Sequence, residues 1–192
     1  MPSPTVILKG ILTAASLASK IGGMPAPNTG TPSGITDKAR WFTMTLNNQT
    51  QWDIQYVTSY FDSGRYFTAP TTVEPFKDME FSGCDKDGSI GTGVSGGSAF
   101  KIQIPTTDGG YETINFAVGW SNPFIGSFKT SIVLSNDPKD AYNQIQEGTS
   151  SISSDKFQGK DTDDNSVNVQ INFVAESAQH MICTITETEP EN

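Results

Sequence analysis

Strict two-residue alternation near the end of the chain constrains the fold more than any other feature. Val167, Val169, Ile171 and Phe173 alternate with polar residues, and Met181, Cys183 and Ile185 repeat the pattern a few residues later. An apolar period of two places one side of each segment against a core and the other in water, the mark of half-buried strands. The same period recurs from Ala39 onward. It predicts strands at Trp41–Leu46, Trp52–Tyr60, Val73–Phe81, Ser98–Ile104, Thr113–Val118, Phe128–Leu134, Val167–Val174 and His180–Thr186. Turn-forming clusters separate them: Asn47-Asn48, Asp62-Ser63-Gly64, Asp87-Gly88, Asp108-Gly109-Gly110 and Asn136-Asp137-Pro138. Many short strands with Gly- and Asp-rich turns predict an antiparallel sandwich over residues 39–188, followed by a tail at 189–192. One interruption, Pro138–Gln146, reads as a short helix capped by Asp137, opened by Pro138 and followed by Gly148.

The first 36 residues obey a different rule. They contain Lys9 and Lys20 but none of the chain's 21 acids, the first of which is Asp37. Ile7, Leu8, Ile11, Leu12, Ala15, Ala18 and Ile21 recur at spacings of three and four, and Lys9, Thr13, Ser16 and Lys20 fall opposite them. Residues 1–22 therefore predict an amphipathic helix, running from about Pro4 to the Gly22-Gly23 pair. Residues 23–38, rich in Gly, Pro, Ser and Thr, read as a flexible tether.

Composition excludes several function classes. Twelve basic residues against 21 acids leave a net charge of -9, which argues against a nucleic-acid surface. No apolar run approaches the roughly 20 residues of a membrane-spanning helix. Gly93-Val94-Ser95-Gly96-Gly97 matches the nucleophile-elbow pattern formally, but no predicted helix follows it, and His180 is the chain's sole imidazole. Asp85–Ser89 and Asp161–Asn165 lack the spacing of a calcium loop. No catalytic residues, metal ligands or cofactor are therefore expected. Cys84 and Cys183 are compatible with one bridge or with two buried strand thiols. Asn48-Gln49-Thr50 has the form of a glycosylation sequon. The unusual segment is GWSNPFIGSF, where Trp120, Phe124, Ile125 and Phe128 crowd a stretch that reads as a loop. Such a loop either folds inward or meets something apolar.

In order and spacing, five stretches resemble the actinoporins, the sea-anemone cytolysins and their relatives. They are Asn48-Gln49-Thr50-Gln51-Trp52, Tyr60-Phe61-Asp62-Ser63-Gly64, Phe81-Ser82-Gly83, Gly91-Thr92-Gly93-Val94 and Phe116-Ala117-Val118-Gly119-Trp120 with its aromatic loop. The resemblance implies a mainly β protein, an antiparallel sandwich flanked by two short α-helices. It implies binding to a lipid membrane, self-association there, and insertion of the N-terminal helix to line a cation-conducting pore. The helix residues at stake are Ile7, Leu8, Lys9, Ile11, Leu12, Ala15 and Lys20. Such a protein is soluble, secreted or released, and acts at a target-cell membrane. Ser63, Val94 and Tyr142 match the family's choline-phosphate pocket, and Trp120, Phe124 and Ile125 its lipid-facing loop. Several positions depart from the pattern. Asp62 stands where the family has Arg, Ala117, Gly119 and Ile125 where it has Ser, Pro and Tyr, and Gln146 and Glu147 where it has two tyrosines. Sphingomyelin preference is not expected of such a pocket. The alternative reading is a non-lytic lectin or lipid-recognition module on the same sandwich, since fold alone does not fix function.

Overall fold

The computed structural model describes residues 23–24, 26–27, 30–88 and 91–189. The amphipathic helix expected over residues 1–22 lies outside them, as does part of the tether. Among the described residues, eleven strands form two sheets packed face to face, the sandwich that the alternation predicts. They are β1 (Trp41–Gln49), β2 (Ile54–Ser63), β3 (Arg65–Thr68), β4 (Asp78–Cys84), β5 (Val94–Pro105), β6 (Tyr111–Asn122), β7 (Lys129–Val133), β8 (Thr149–Ser153), β9 (Phe157–Lys160), β10 (Ser166–Glu176) and β11 (His180–Thr188). One sheet runs β3-β4-β1-β11-β10-β8, with β9 also paired to β10, and the other runs β2-β5-β6-β7. Every pair is antiparallel except β1 with β11. No helix among the described residues is long and apolar enough to cross a membrane.

The inward positions meet in an aromatic layer. Phe42 of the first sheet stacks on Trp120 of the second with centroids 4.7 Å apart, and Phe116 and Phe173 approach equally closely across the interior. Phe81, Phe100, Ile102, Ile171 and Ile185 fill the remainder, all fully buried. Burial on this scale supplies the hydrophobic drive, at about 1.5–3 kcal/mol for each large side chain removed from water.

Three differences from the sequence reading have physical causes. The strand expected over Val73–Phe81 begins only at Asp78, because Pro75 lacks an N–H and Phe76 is held at φ 55°. Val73 keeps a single bridge to Ile54. The helix α1 (Pro138–Tyr142) stops short of Gln146, whose backbone pairs in both directions with Thr130 of β7. Its predicted cap holds, with the Asp137 carboxylate accepting from the Lys139 N–H at 2.8 Å. Finally, Cys84 and Cys183 are both free and buried. They stand beside Trp41 and Leu46 of β1, five positions apart and so about 16 Å along the strand, too far to bridge.

Two glycines seat α1 on the outer face of the second sheet. A Cβ at Gly97 would stand 2.1 Å from the Pro138 carbonyl oxygen, and one at Gly119 would stand 2.5 Å from that of Ala141. Helix and sheet backbone are therefore in direct contact, and Tyr142 is carried to the edge of β2.

Candidate functional site

One end of the sandwich gathers the residues that the sequence singled out. There β2 ends, β5 begins, β6 ends and β7 begins, in the register Val94 opposite Asn122 and Ser121 opposite Lys129. Between β6 and β7 the chain makes the loop 123–128. Phe124 is 44% and Ile125 86% exposed at its tip, while Phe128 packs back on the core.

This loop is braced. Arg40 sends its Nε–H to the Pro123 carbonyl at 3.2 Å and Nη2 to the Phe124 carbonyl at 2.8 Å, with the guanidinium carbon 5.0 Å from the centre of the Phe124 ring. The Asn122 amide donates to the Trp41 carbonyl at 2.8 Å, tying the loop's start to β1. A cation over a ring face and two charge-assisted hydrogen bonds hold the apolar tip outward without covering it.

Trp120 does not belong to this exposed set. Strand β6 continues to Asn122, which turns Trp120 inward; it is fully buried, and its indole N–H donates to the Ser98 hydroxyl at 3.1 Å. Val94 is likewise fully buried within the core. Ser63 is half-buried, and its hydroxyl donates to the Gly93 carbonyl at 2.7 Å. These three residues shape the end of the sandwich from inside, and none presents a free polar group or an apolar surface there.

Tyr142 is placed differently. Its ring lies 5.4 Å from that of Tyr60, tilted by 50°, on the outer face of the second sheet. The Asp62 carboxylate and Ser95 hydroxyl are its neighbours, and Ser95 donates to Asp62 at 3.4 Å. Burial first, and the nearby Asp62 second, raise the Tyr142 pKa, so its hydroxyl stays protonated and can donate. Lys139 of α1 reaches back, with Nζ 5.5 Å from the centre of the Tyr60 ring. The Tyr60 and Tyr142 rings and the Asp62 carboxylate thus form a cation-attracting notch, and Lys139 stands over the Tyr60 ring at its side. Read from sequence, Tyr60 belongs to the Tyr60–Gly64 stretch without a role of its own, and no local pattern points to Arg40 or Lys139 as parts of this end. The one available signal for Arg40 was its rarity, since the chain's other arginine is Arg65.

Two cations near this end, Lys38 and Arg65, are engaged by one carboxylate. Asp87 pairs with both Lys38 and Arg65, and these two partners hold its carboxyl below the usual range. The other calcium-like turn is closed by its own backbone, the Asp161 carboxylate accepting from the N–H groups of Asp163 and Asn165. Ser95 of the nucleophile-elbow match sits in a strand of the second sheet, whereas His180 is in the first, with Nδ1 2.9 Å from the Thr43 hydroxyl. The Asn48 of the sequon is fully buried and donates to the Trp52 and Glu74 carbonyls, so the folded protein offers no glycan acceptor there.

No family model matches the chain, and no curated protein matches its sequence. Among solved structures it is similar to one titled a crystal structure of the lipid binding protein Nakanori. That match covers 78% of this chain and 71% of the other, with a TM-score of 0.48 and 14% identity. No residue role carries across so distant a likeness.

Proposed function

We propose that this protein is a membrane-binding module that meets a lipid bilayer with the loop end of its sandwich, and that residues 1–22 then supply a pore-forming helix. The observation carrying the proposal is the braced loop displaying Phe124 and Ile125 to solvent. An apolar tip held by hydrogen bonds is already ordered, so little of its burial energy is spent on immobilising it. The aromatic ring belongs in the interfacial layer and the isoleucine just beneath.

The notch beside the loop suggests the head group. Tyr60, Tyr142 and Asp62 favour a positively charged group, which would take the place of Lys139 over the Tyr60 ring, and Asp62 repels phosphate. Lys38 and Arg65 are occupied by Asp87 and offer anionic lipids little. A zwitterionic lipid presenting its ammonium fits this arrangement better than an anionic one. The reading assigns no catalytic step.

The last part of the stretch read as tether, Ile35–Asp37, is instead a 3-10 turn with Ile35 fully buried, which fastens it to the sandwich. Pore formation therefore rests on the sequence of residues 1–34, a two-faced helix and a Gly- and Pro-rich stretch. Several copies side by side could then enclose water with the faces bearing Lys9 and Lys20. A non-lytic lipid-recognition module would share the loop end and differ only in the fate of this segment. Co-sedimentation with zwitterionic and anionic vesicles, together with dye release from the same vesicles, separates the readings. Binding to zwitterionic vesicles with leakage supports both steps, and binding without leakage leaves the recognition module. Absence of binding to any vesicle refutes the proposal.

A further inference from the structure

The opposite end of the sandwich holds a second cleft, remote from the loop. Strands β5 and β6 pair along twelve positions, from Val94 opposite Asn122 at the loop end to Pro105 opposite Tyr111 at the other. By strand rise the two ends are about 36 Å apart. At the far end Trp52, Asp53, Gln55, Gln103, Pro105 and Tyr111 line a cleft of about 440 Å³, within the size range of small-molecule sites.

Its lining has a consistent chemistry. Tyr111 is 68% exposed, an unusual position for a large ring with no packing task. Gln103 alternates outward on β5 between the buried Ile102 and Ile104, and Gln55 lies on the same face beside Lys101. Neither amide makes a hydrogen bond within the described residues, so each offers a paired donor and acceptor. Trp52 is only 7% exposed and borders the cleft from the core side. Gln51, by contrast, forms a fixed wall: its amide donates to Glu187 at 2.8 Å and accepts from the Thr162 N–H at 2.8 Å.

We infer that this cleft binds a neutral sugar. A pyranose ring has an apolar C–H face, which stacks on an exposed phenol ring, and a rim of hydroxyls, which pair with amides and a carboxylate in the ring plane. The lining supplies both: Tyr111 as platform, Gln55 and Gln103 as two-way hydrogen-bond groups, and Asp53 as acceptor. Other ligand classes fit less well. The cleft-lining residues include no Lys or Arg, and Asp53 repels phosphate, which disfavours nucleotides and anionic head groups. A wholly apolar ligand would strip water from two glutamine amides without replacing its hydrogen bonds.

Saturation-transfer NMR on the full chain with lactose, cellobiose, maltose and chitobiose tests this. At least one disaccharide should receive saturation at its ring C–H protons. Tyr111→Ala or Gln103→Ala should weaken that binding at least about tenfold, a loss near 1.4 kcal/mol. Tyr111→Phe should retain most of it, and the Phe124→Ser/Ile125→Ser protein should bind the sugar as the parent does, which separates this cleft from the membrane-facing loop. Both positions are exposed, and circular dichroism confirms that the variants are folded. No transfer to any of the four sugars at millimolar concentration overturns the inference, as does binding that survives Tyr111→Ala, or a preference for inorganic phosphate.

Discussion

Replacing Phe124 and Ile125 together by serine removes the apolar tip while leaving its brace, because Arg40 bonds the loop through backbone carbonyls. The exposed fractions, 44% and 86%, set how much surface remains for a bilayer to cover. Full burial of either side chain contributes about 1.5–3 kcal/mol. Scaled by exposure, the pair supplies about 2.5 kcal/mol, or roughly a 60-fold difference in partitioning between water and vesicle. The fold should lose little, since the main contact removed is that between Arg40 and the Phe124 ring, worth about 0.5–1 kcal/mol. Co-sedimentation over a lipid titration measures the partition constant, and thermal unfolding by circular dichroism controls for stability. A fall of less than about threefold, under 0.7 kcal/mol, would mean that the loop does not enter the bilayer. A large fall matched by cooperative unfolding would mean that the tip is structural. Either result refutes the assignment.

Deleting residues 1–30 should leave vesicle binding intact and abolish dye release, and Leu12→Glu should reduce release by placing a charge in the apolar face; release undiminished by the deletion would eliminate the pore step. Trp120→Ala should act on the core rather than on the membrane, costing about 3–5 kcal/mol in denaturant unfolding, so vesicle binding lost without a stability change would contradict its burial. Both cysteines should resist Ellman's reagent at pH 8 in the native state and react on unfolding, because burial pushes the Cys183 thiol up to about 12 and also raises Cys84. Prompt native labelling of either would show that its strand opens.

What the sequence disclosed and what it hid follow from how far each signal is local. Strands β10 and β11 were legible because one face of each is core and the other solvent, which writes the period directly into Val167–Phe173 and Met181–Ile185. Strands β8 and β9 were not, because Thr149–Ser153 and Phe157–Lys160 are short and mostly polar; pairing with β10 makes them strands. Trp120 was misplaced for a related reason. Gly119 before it and Asn122-Pro123 after it suggest a loop, but Gly119 is there to admit α1 and β6 runs to Asn122. The exposed tip at Phe124 and Ile125 was legible as apolar excess. Its brace was not, since Arg40 is 83 positions from Pro123 and no local pattern links them. The Tyr60–Tyr142 notch likewise depends on the route of α1 across the second sheet.

The parallel pairing of β1 with β11 governs how the protein comes into being. Thr43 and His180 are neighbours in space but 137 positions apart in the chain. While the polypeptide is being synthesised, β2, β5, β6 and β7 can assemble in order as they emerge, each beside a strand already made. The first sheet has no such route, since β10 and β8 reach β1 only through β11, the last described strand to appear. Until then Phe42, Met44 and Phe81 have only half of their sheet around them. Distant pairing of this kind slows folding and prolongs the exposure of apolar surface to other chains. A nascent chain therefore needs shelter until synthesis has passed Thr188, and a premature stop within β11 yields a sticky half-sandwich rather than a slightly weakened protein.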